Sequence, residues 1–213
     1  MRSEGQLLTP DNHTLILVDH ESQMALAVAS HPIEMVINAT TGLAKAAKLF
    51  NVPTIVTTVF ERSFSGPLFR GIREIFPNHS KYIDRTTMNP WEDDAVLAKV
   101  RAYSRHRLVF AGLWTEVCVV LPVISAMQDD YHCYVITDAC GGVSAEAHER
   151  AVQRMIQAGA IPMTWMQYML ELQRDWARSD TAAQVGAIAK EHGGAYGLGI
   201  EYLYQMKEWA KEQ

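Results

Sequence analysis

Four short β-branched runs in this chain are each followed at once by side chains able to do chemistry. Asp19 and His20 follow the first, Phe60 and Glu61 the second. Trp114, Thr115 and, one helical turn later, Cys118 come after "RLVFAGL"; Asp138 and Cys140 come after "CYVIT" and precede Gly141-Gly142. Cys118, within "GLWTEVCVV", is the candidate nucleophile. With Thr115 as N-cap it falls in the first turn of a helix, where unpaired N–H groups and the helix dipole favour thiolate over thiol. The same N–H groups can hold the oxyanion formed when a carbonyl is attacked. Glu116 opposes thiolate formation by its charge. Pro122 has no N–H for the carbonyl of Cys118, so the helix is distorted or begins later. A cysteine in an apolar run is also readable as a small buried hydrophobe. Asp19 has two readings as well: a general base, or an acid that ends a strand by bonding backbone amides. Spacing alone leaves both open.

The elements that must position these groups can be read from apolar periodicity. "TLILVDH" (14–20), "PTIVTTVF" (53–60), "RLVFAGL" (107–113), "CYVITDA" (133–139) and "IPMTWM" (161–166) read as buried strands. Between them, "INATTGLAKAAKLFN", "WEDDAVLAKVRAYS", the stretch after Thr115 and "SAEAHERAVQRMIQAG" read as helices. In the last, Ala147, Ala151 and Met155 recur at four-residue spacing and Gly159 supplies the stop. Continuous apolar strands alternating with helices predict an α/β fold, doubly wound in three layers around a parallel sheet. Ligands of such sheets bind outside the carboxyl ends of the strands, where the reactive residues lie.

Residues 61–91 are the least regular stretch and read as a binding loop. Phe60, Phe64 and above all Trp91 are expected to wall an apolar substrate pocket. Past Trp176, residues of about 177–213 read as an appendage for self-association on a single domain spanning 1–213. Cys133 reads as core, Cys140 as turn packing and His148 as a structural or capping residue. His20, next to Asp19 on a strand, is expected to face the other side.

Composition bounds the function classes. The chain has 213 residues, 48% hydrophobic and 20% charged, as in an ordinary globular protein of one domain. A net charge of −5 argues against nucleic acid or an anionic membrane as the main partner. No run approaches the ~20 apolar residues of a membrane span, and "MRSEGQLLTPDNHT" has no apolar core of signal-peptide length. Three cysteines, an odd number, fit free thiols in a reducing cytoplasm. The eight histidines form no H-x-x-E-H or H-E-x-x-H pair, and neither G-x-G-x-x-G nor a P-loop is present. The expectation is no metal and no cofactor.

"LILVDH", a basic residue before "NPW", and "AGLWTEVCV" together resemble the isochorismatase-like cysteine hydrolase superfamily. "YIDRTTMNPWED", "AGLWTEVCVVLP", "VITDACGGVS…AHERAVQRM" and "TWMQYMLELQRDW" resemble its YcaC-like branch, from about residue 8 to the tail. The resemblance implies a six-stranded parallel sheet and a triad of Asp19, Arg85 and Cys118 in one pocket. Asp19 would take the thiol proton, Cys118 would form an acyl intermediate, and amides near Trp114 and Cys118 would hold the oxyanion. It also implies a non-proline cis peptide, matched here to Trp114–Thr115. Most of the superfamily has lysine at the basic position; Arg85 stands there in this chain, with Lys81 as its rival. Arginine cannot shuttle a proton, which leaves the proton work to Asp19. Glu21 stands where the family usually has glutamine, adding a carboxylate near the site or else turning to solvent. The Asp-x-His pattern that metal-holding nicotinamidases carry near the pocket is not found beside Asp19, Arg85 or Cys118. The implied activity is metal-independent hydrolysis of a small amide-type C–N bond, in a homo-oligomer such as an octamer. The alternatives are vinyl ether hydrolysis, which some relatives perform without the cysteine, and a thiol redox sensor or scaffold without turnover.

Overall fold

The structure, a computed structural model, describes residues 7–211. Residues 1–6 of the N-terminal stretch read for a leader lie outside them, as do the last two residues of the tail. Six strands form one parallel sheet: β1 (His13–Val18), β2 (Thr54–Val59), β3 (Ile83–Arg85), β4 (Arg107–Gly112), β5 (His132–Ile136) and β6 (Ile161–Met163). Their spatial order is β3-β2-β1-β4-β5-β6, the doubly wound order that reverses direction between β1 and β4. All six residues of β1 are buried, as a central strand covered on both faces requires.

The nine α-helices among the described residues are α1 (Ser22–Leu26), α2 (Ile33–Leu49), α3 (Arg70–Ile75), α4 (Asp94–Tyr103), α5 (Val120–Gln128), α6 (Ala145–Ala158), α7 (Trp165–Gln173), α8 (Ser179–His192) and α9 (Ala195–Trp209). Helix α2 packs with α3, α7 and α8, whereas α5 packs with α6. One contiguous hydrophobic core runs through the sheet and its helices. Helix α8 contributes Val185 and Ala189 to that core, while α9 leaves Tyr202, Leu203, Tyr204, Met206 and Trp209 exposed. No helix among the described residues is long and apolar enough to cross a membrane.

The sequence-read strands correspond to β1, β2, β4, β5 and β6, with trimmed ends. Strand β6 stops at Met163 because Thr164 caps α7, its side chain accepting from the Gln167 N–H. Helix α6 begins as read, with Ser144 accepting from the Ala147 N–H, and ends at Gly159 with φ 109°. Its buried stripe runs through His148, Ala151 and Met155, leaving Ile156 exposed. Strand β3 is only "IDR", too short for any two-residue alternation to register, and was visible only through the resemblance.

Sheet register explains what the site inherits. Val18 of β1 lies opposite both Thr57 of β2 and Gly112 of β4. Strand β2 continues two residues further, so that Val59 meets Arg85 at the end of β3. The chain just after Val18, the end of β3 and the loop after Gly112 therefore sit at one edge of the sheet. A Cβ on Gly112 would fall 2.4 Å from the Val18 carbonyl oxygen, so only glycine allows this close approach beside Asp19.

Candidate active site

Asp19 follows β1 directly, with its backbone in the left-handed region (φ 53°) and its N–H donating to Thr57 O at 3.1 Å. Phe60, at the corresponding position after β2, is also left-handed at φ 50°. Such conformations are costly for a bulky side chain and cluster where loops are held for function. The turn after Val18 aims the Asp19 carboxylate between β2 and β3. There Thr57 Oγ1 donates to its Oδ1 at 3.1 Å, and the Arg85 guanidinium forms a buried ion pair with Oδ2. Arg85 also donates to the Thr87 carbonyl. Both side chains of the pair are wholly withdrawn from solvent.

Cys118 completes the cluster: its thiol is buried and within electrostatic reach of Asp19 and Arg85. Burial pushes the thiol up to about 12, and the negative charge of Asp19 adds to the shift while Arg85 opposes it. Burial also raises the Asp19 carboxyl above its ordinary value, against the pull of Arg85, of the nearby Cys118 thiol and of the Thr57 hydrogen bond. The resting thiol beside Asp19 is thus neutral, not the thiolate that the helix N-terminus by itself would favour. Desolvation outweighs the dipole.

The local chain path accounts for the residues around it. Thr115–Val119 form a single π-helical turn, and α5 starts only at Val120. Pro122 then falls in the first turn of α5, where a missing N–H is tolerated, so the helix both distorts and begins late. Glu116 turns away from Cys118: its Oε1 accepts from the Val143 N–H at 2.9 Å.

Thr115 is not an N-cap, contrary to expectation. Its hydroxyl shares a 2.8 Å hydrogen bond with His148 Nδ1, and its N–H donates to Gly141 O at 2.9 Å. The amides of Trp114 and Cys118 remain as candidates for an oxyanion. The cis peptide is Leu113–Trp114, one bond before the expected Trp114–Thr115. The parallel bridge of Leu113 to Gly141 ends the β4 side, so the chain turns immediately after Leu113.

Next to Cys118 opens a cavity of about 510 Å³, of the size that takes a small molecule. Phe60 and Phe64 line it, as expected; Trp91 does not. The Asn89 side chain accepts from the Trp91 N–H and starts a tight turn that swings the indole under α5. Its Nε1–H donates to Asp129 at 2.8 Å and its ring meets Tyr131 edge-on, so it is a packed core residue. Met88, three residues earlier, lines the cavity in its place.

Lys81 is exposed in the turn His79–Lys81 and lines a different cavity with Lys48 and Tyr82, away from Asp19. Glu21 is neither in solvent nor in the cavity wall. It is buried, accepts from the Val59 N–H at 3.0 Å, and is pushed up to about 8 by burial. His20 points to Ala139 O at 2.9 Å, away from the site. Cys133 and Cys140 are buried elsewhere, both pushed up to about 12 by burial. No cluster of three or more metal-ligating side chains occurs among the described residues.

Sequence reasoning missed Thr57, Thr87, Met24 and Met88. A threonine amid the apolar residues of β2 was the one available signal for Thr57; the others are set by loop geometry alone.

Comparison with known proteins is consistent with this geometry. The isochorismatase domain family matches residues 13–167. The chain is 36% identical to "Probable hydrolase YcaC" of Escherichia coli (strain K12) over 170 residues, 79% of this chain and 81% of that protein. The structure of YcaC from Pseudomonas aeruginosa, with hexane-2,5-diol and covalent acrylamide, superposes with a TM-score of 0.87 at 33% identity, covering 93% of this chain and 97% of that one. The Escherichia coli YcaC structure, described as an octameric hydrolase of unknown specificity, gives a TM-score of 0.90 at 31% identity, covering 96% and 99%.

Proposed function

The chain belongs to the isochorismatase family of hydrolases, and from that premise we propose that it is a cysteine hydrolase of a small amide-type substrate. One observation carries the reading: the buried thiol of Cys118, on the wall of an open cavity, lies within electrostatic reach of a buried Asp19–Arg85 ion pair. Asp19 takes the proton from Cys118 as Sγ bonds to the substrate carbonyl carbon. The carbonyl electrons move to oxygen, held by the Trp114 and Cys118 amides. As the C–N bond breaks, Asp19 returns the proton to the departing nitrogen, leaving an acyl thioester. Water then gives its proton to Asp19 and attacks the thioester, and Cys118 leaves as a thiolate reprotonated by Asp19. The net change is amide plus water to acid plus amine. Arg85 keeps Asp19 oriented and ionised throughout. The covalent acrylamide of the Pseudomonas aeruginosa relative, brought to this chain, supports a nucleophilic side chain that a small electrophile can reach.

Acid-quenched intact mass and peptide mapping, after mixing with a set of primary amides, test the reading. An acyl mass on Cys118 together with released ammonia is expected. An adduct on Cys133 or Cys140 instead, or ammonia without any adduct, counts against it. Reaction of Cys118 with alkylating agents but with no amide favours the thiol sensor or scaffold.

The same proposal takes the protein to be a homo-oligomer of single-domain chains in a reducing compartment, the cytoplasm. Three free cysteines support the compartment. The octameric relative and the exposed Leu203 and Tyr204 of α9 support self-association. Placing glutamate at both positions is expected to reduce the mass measured by light scattering to that of a smaller species, since a buried unpaired carboxylate disfavours the contact. A wild-type chain that is already monomeric would overturn it.

A further inference from the structure

The wall of the cavity beside Cys118 is lined by Val59, Phe60, Phe64, Met88, Trp114 and Val117, with Met24 behind them. None of its described lining residues is charged. Trp114 presents only its ring, because its indole N–H is already given to Met24 O at 2.9 Å. The two ions nearby are Asp19 and Arg85, which neutralise each other and have no solvent exposure. None of the described lining residues therefore offers a cation to a substrate carboxylate, and burying one unpaired in such a wall is strongly disfavoured. Three hydroxyl side chains line the cavity: Ser63, Ser65 and Thr86. Ser63 Oγ leans on Phe60 O at 3.5 Å. Ser65 is wholly buried, and its Oγ is the one buried side-chain oxygen or nitrogen among the described lining residues without a hydrogen-bond partner. A buried polar atom without a partner is disfavoured unless a ligand supplies one.

Resting on the cysteine-hydrolase reading above, we infer that the ligand of this cavity is an uncharged amide carrying a hydrocarbon chain, with Ser65 Oγ as its side-chain hydrogen-bond partner. The hydrocarbon lies against Phe60, Phe64 and Met88, which are half or more exposed in the free protein and become covered by it. Selectivity follows from charge and chain length rather than from a dedicated polar pocket.

Calorimetric titration of the Cys118→Ala protein separates binding from chemistry. The probes are butanamide, hexanamide and the half-amide of adipic acid, which ends in a carboxylate. Each buried methylene is worth about fourfold in affinity, so hexanamide is expected to bind about 16-fold more tightly than butanamide. It is expected to exceed the half-amide by about 30-fold or more. Ser65→Ala in the same background lowers hexanamide affinity by about fivefold. Met88→Lys, a change at an exposed side chain, weakens hexanamide and strengthens the half-amide about tenfold. Equal binding of hexanamide and the half-amide, no dependence on chain length, or no binding of any of the three overturns the inference. Chain-length-dependent binding with no ammonia released by the wild type supports the ligand class and overturns the hydrolysis step instead.

Discussion

Asp19→Asn is expected to drive two reactions of Cys118 in opposite directions. Alkylation by iodoacetamide at pH 8 becomes at least tenfold faster, while acylation by an amide becomes about 10²–10⁴-fold slower. The split follows from what holds the thiol at about 12. Burial is the larger cause, but the charge of Asp19 adds to it, and Arg85 works against them. Without the carboxylate, Arg85 stands beside Cys118 with no anionic partner, and the thiol falls toward the ordinary cysteine value of ~8.5. Each unit of that fall gives about tenfold more thiolate at pH 8. Alkylation needs only thiolate, so it speeds up. Amide cleavage needs an acid for the departing nitrogen and a base for water, and asparagine is neither. Removing one partner of the buried pair also costs on the order of 3 kcal/mol. Both rates are therefore compared well below the unfolding temperature, against stopped-flow alkylation and acid-quench mass spectrometry. If the two rates fall together, Asp19 is only structural; if neither moves, it does not touch the thiol.

The second large effect is on stability. Arg85→Ala is expected to destabilise the fold by about 3–5 kcal/mol in urea unfolding near neutral pH, because it leaves the Asp19 carboxylate buried and unpaired. The loss has a sign in pH. Burial already raises the folded-state pKa of Asp19, and removing the guanidinium raises it further. A group with a raised folded pKa favours folding most below its unfolded value, and that contribution is lost as pH rises through the folded value. The deficit of the variant relative to wild type therefore grows from pH 5 to pH 8. Asp19 then holds its proton to higher pH than in wild type, so amide acylation of Cys118 falls as well, by about 10²-fold or more. Lys81→Ala, at an exposed side chain remote from the pair, leaves both stability and acylation unchanged. A pH-independent deficit below about 1 kcal/mol for Arg85→Ala would remove Arg85 from the site.

Much of the fold could be read in advance because its signals are local. The apolar strands, the Ser144 and Gly159 boundaries of α6 and the irregular 61–91 segment are each set by residues adjacent in sequence. Strand β3 could not be read this way, since three residues carry no period and its existence depends on β2 offering an edge through Val59. Trp91 was misjudged for a related reason. An aromatic in a variable loop has no sequence mark of which way it faces, and here the Asn89 turn and the Asp129 acceptor decided. The cis bond lies one position before the expected one, at Leu113–Trp114.

By itself the sequence determined that a parallel sheet would deliver Asp19 and a cysteine-bearing turn to strand ends, since hydrophobic periodicity and chain direction suffice for that. Only the tertiary structure decided their state. Register brought Arg85 and Thr57 onto Asp19, a π-helical turn reconciled Pro122 with the helix, and Glu116 was drawn off by the Val143 amide. Above all, a helix N-terminus argues for a thiolate, whereas the folded site holds a thiol pushed up to about 12. Protonation depends on desolvation and on charges within a few ångströms, and those are properties of the packed chain rather than of residue order.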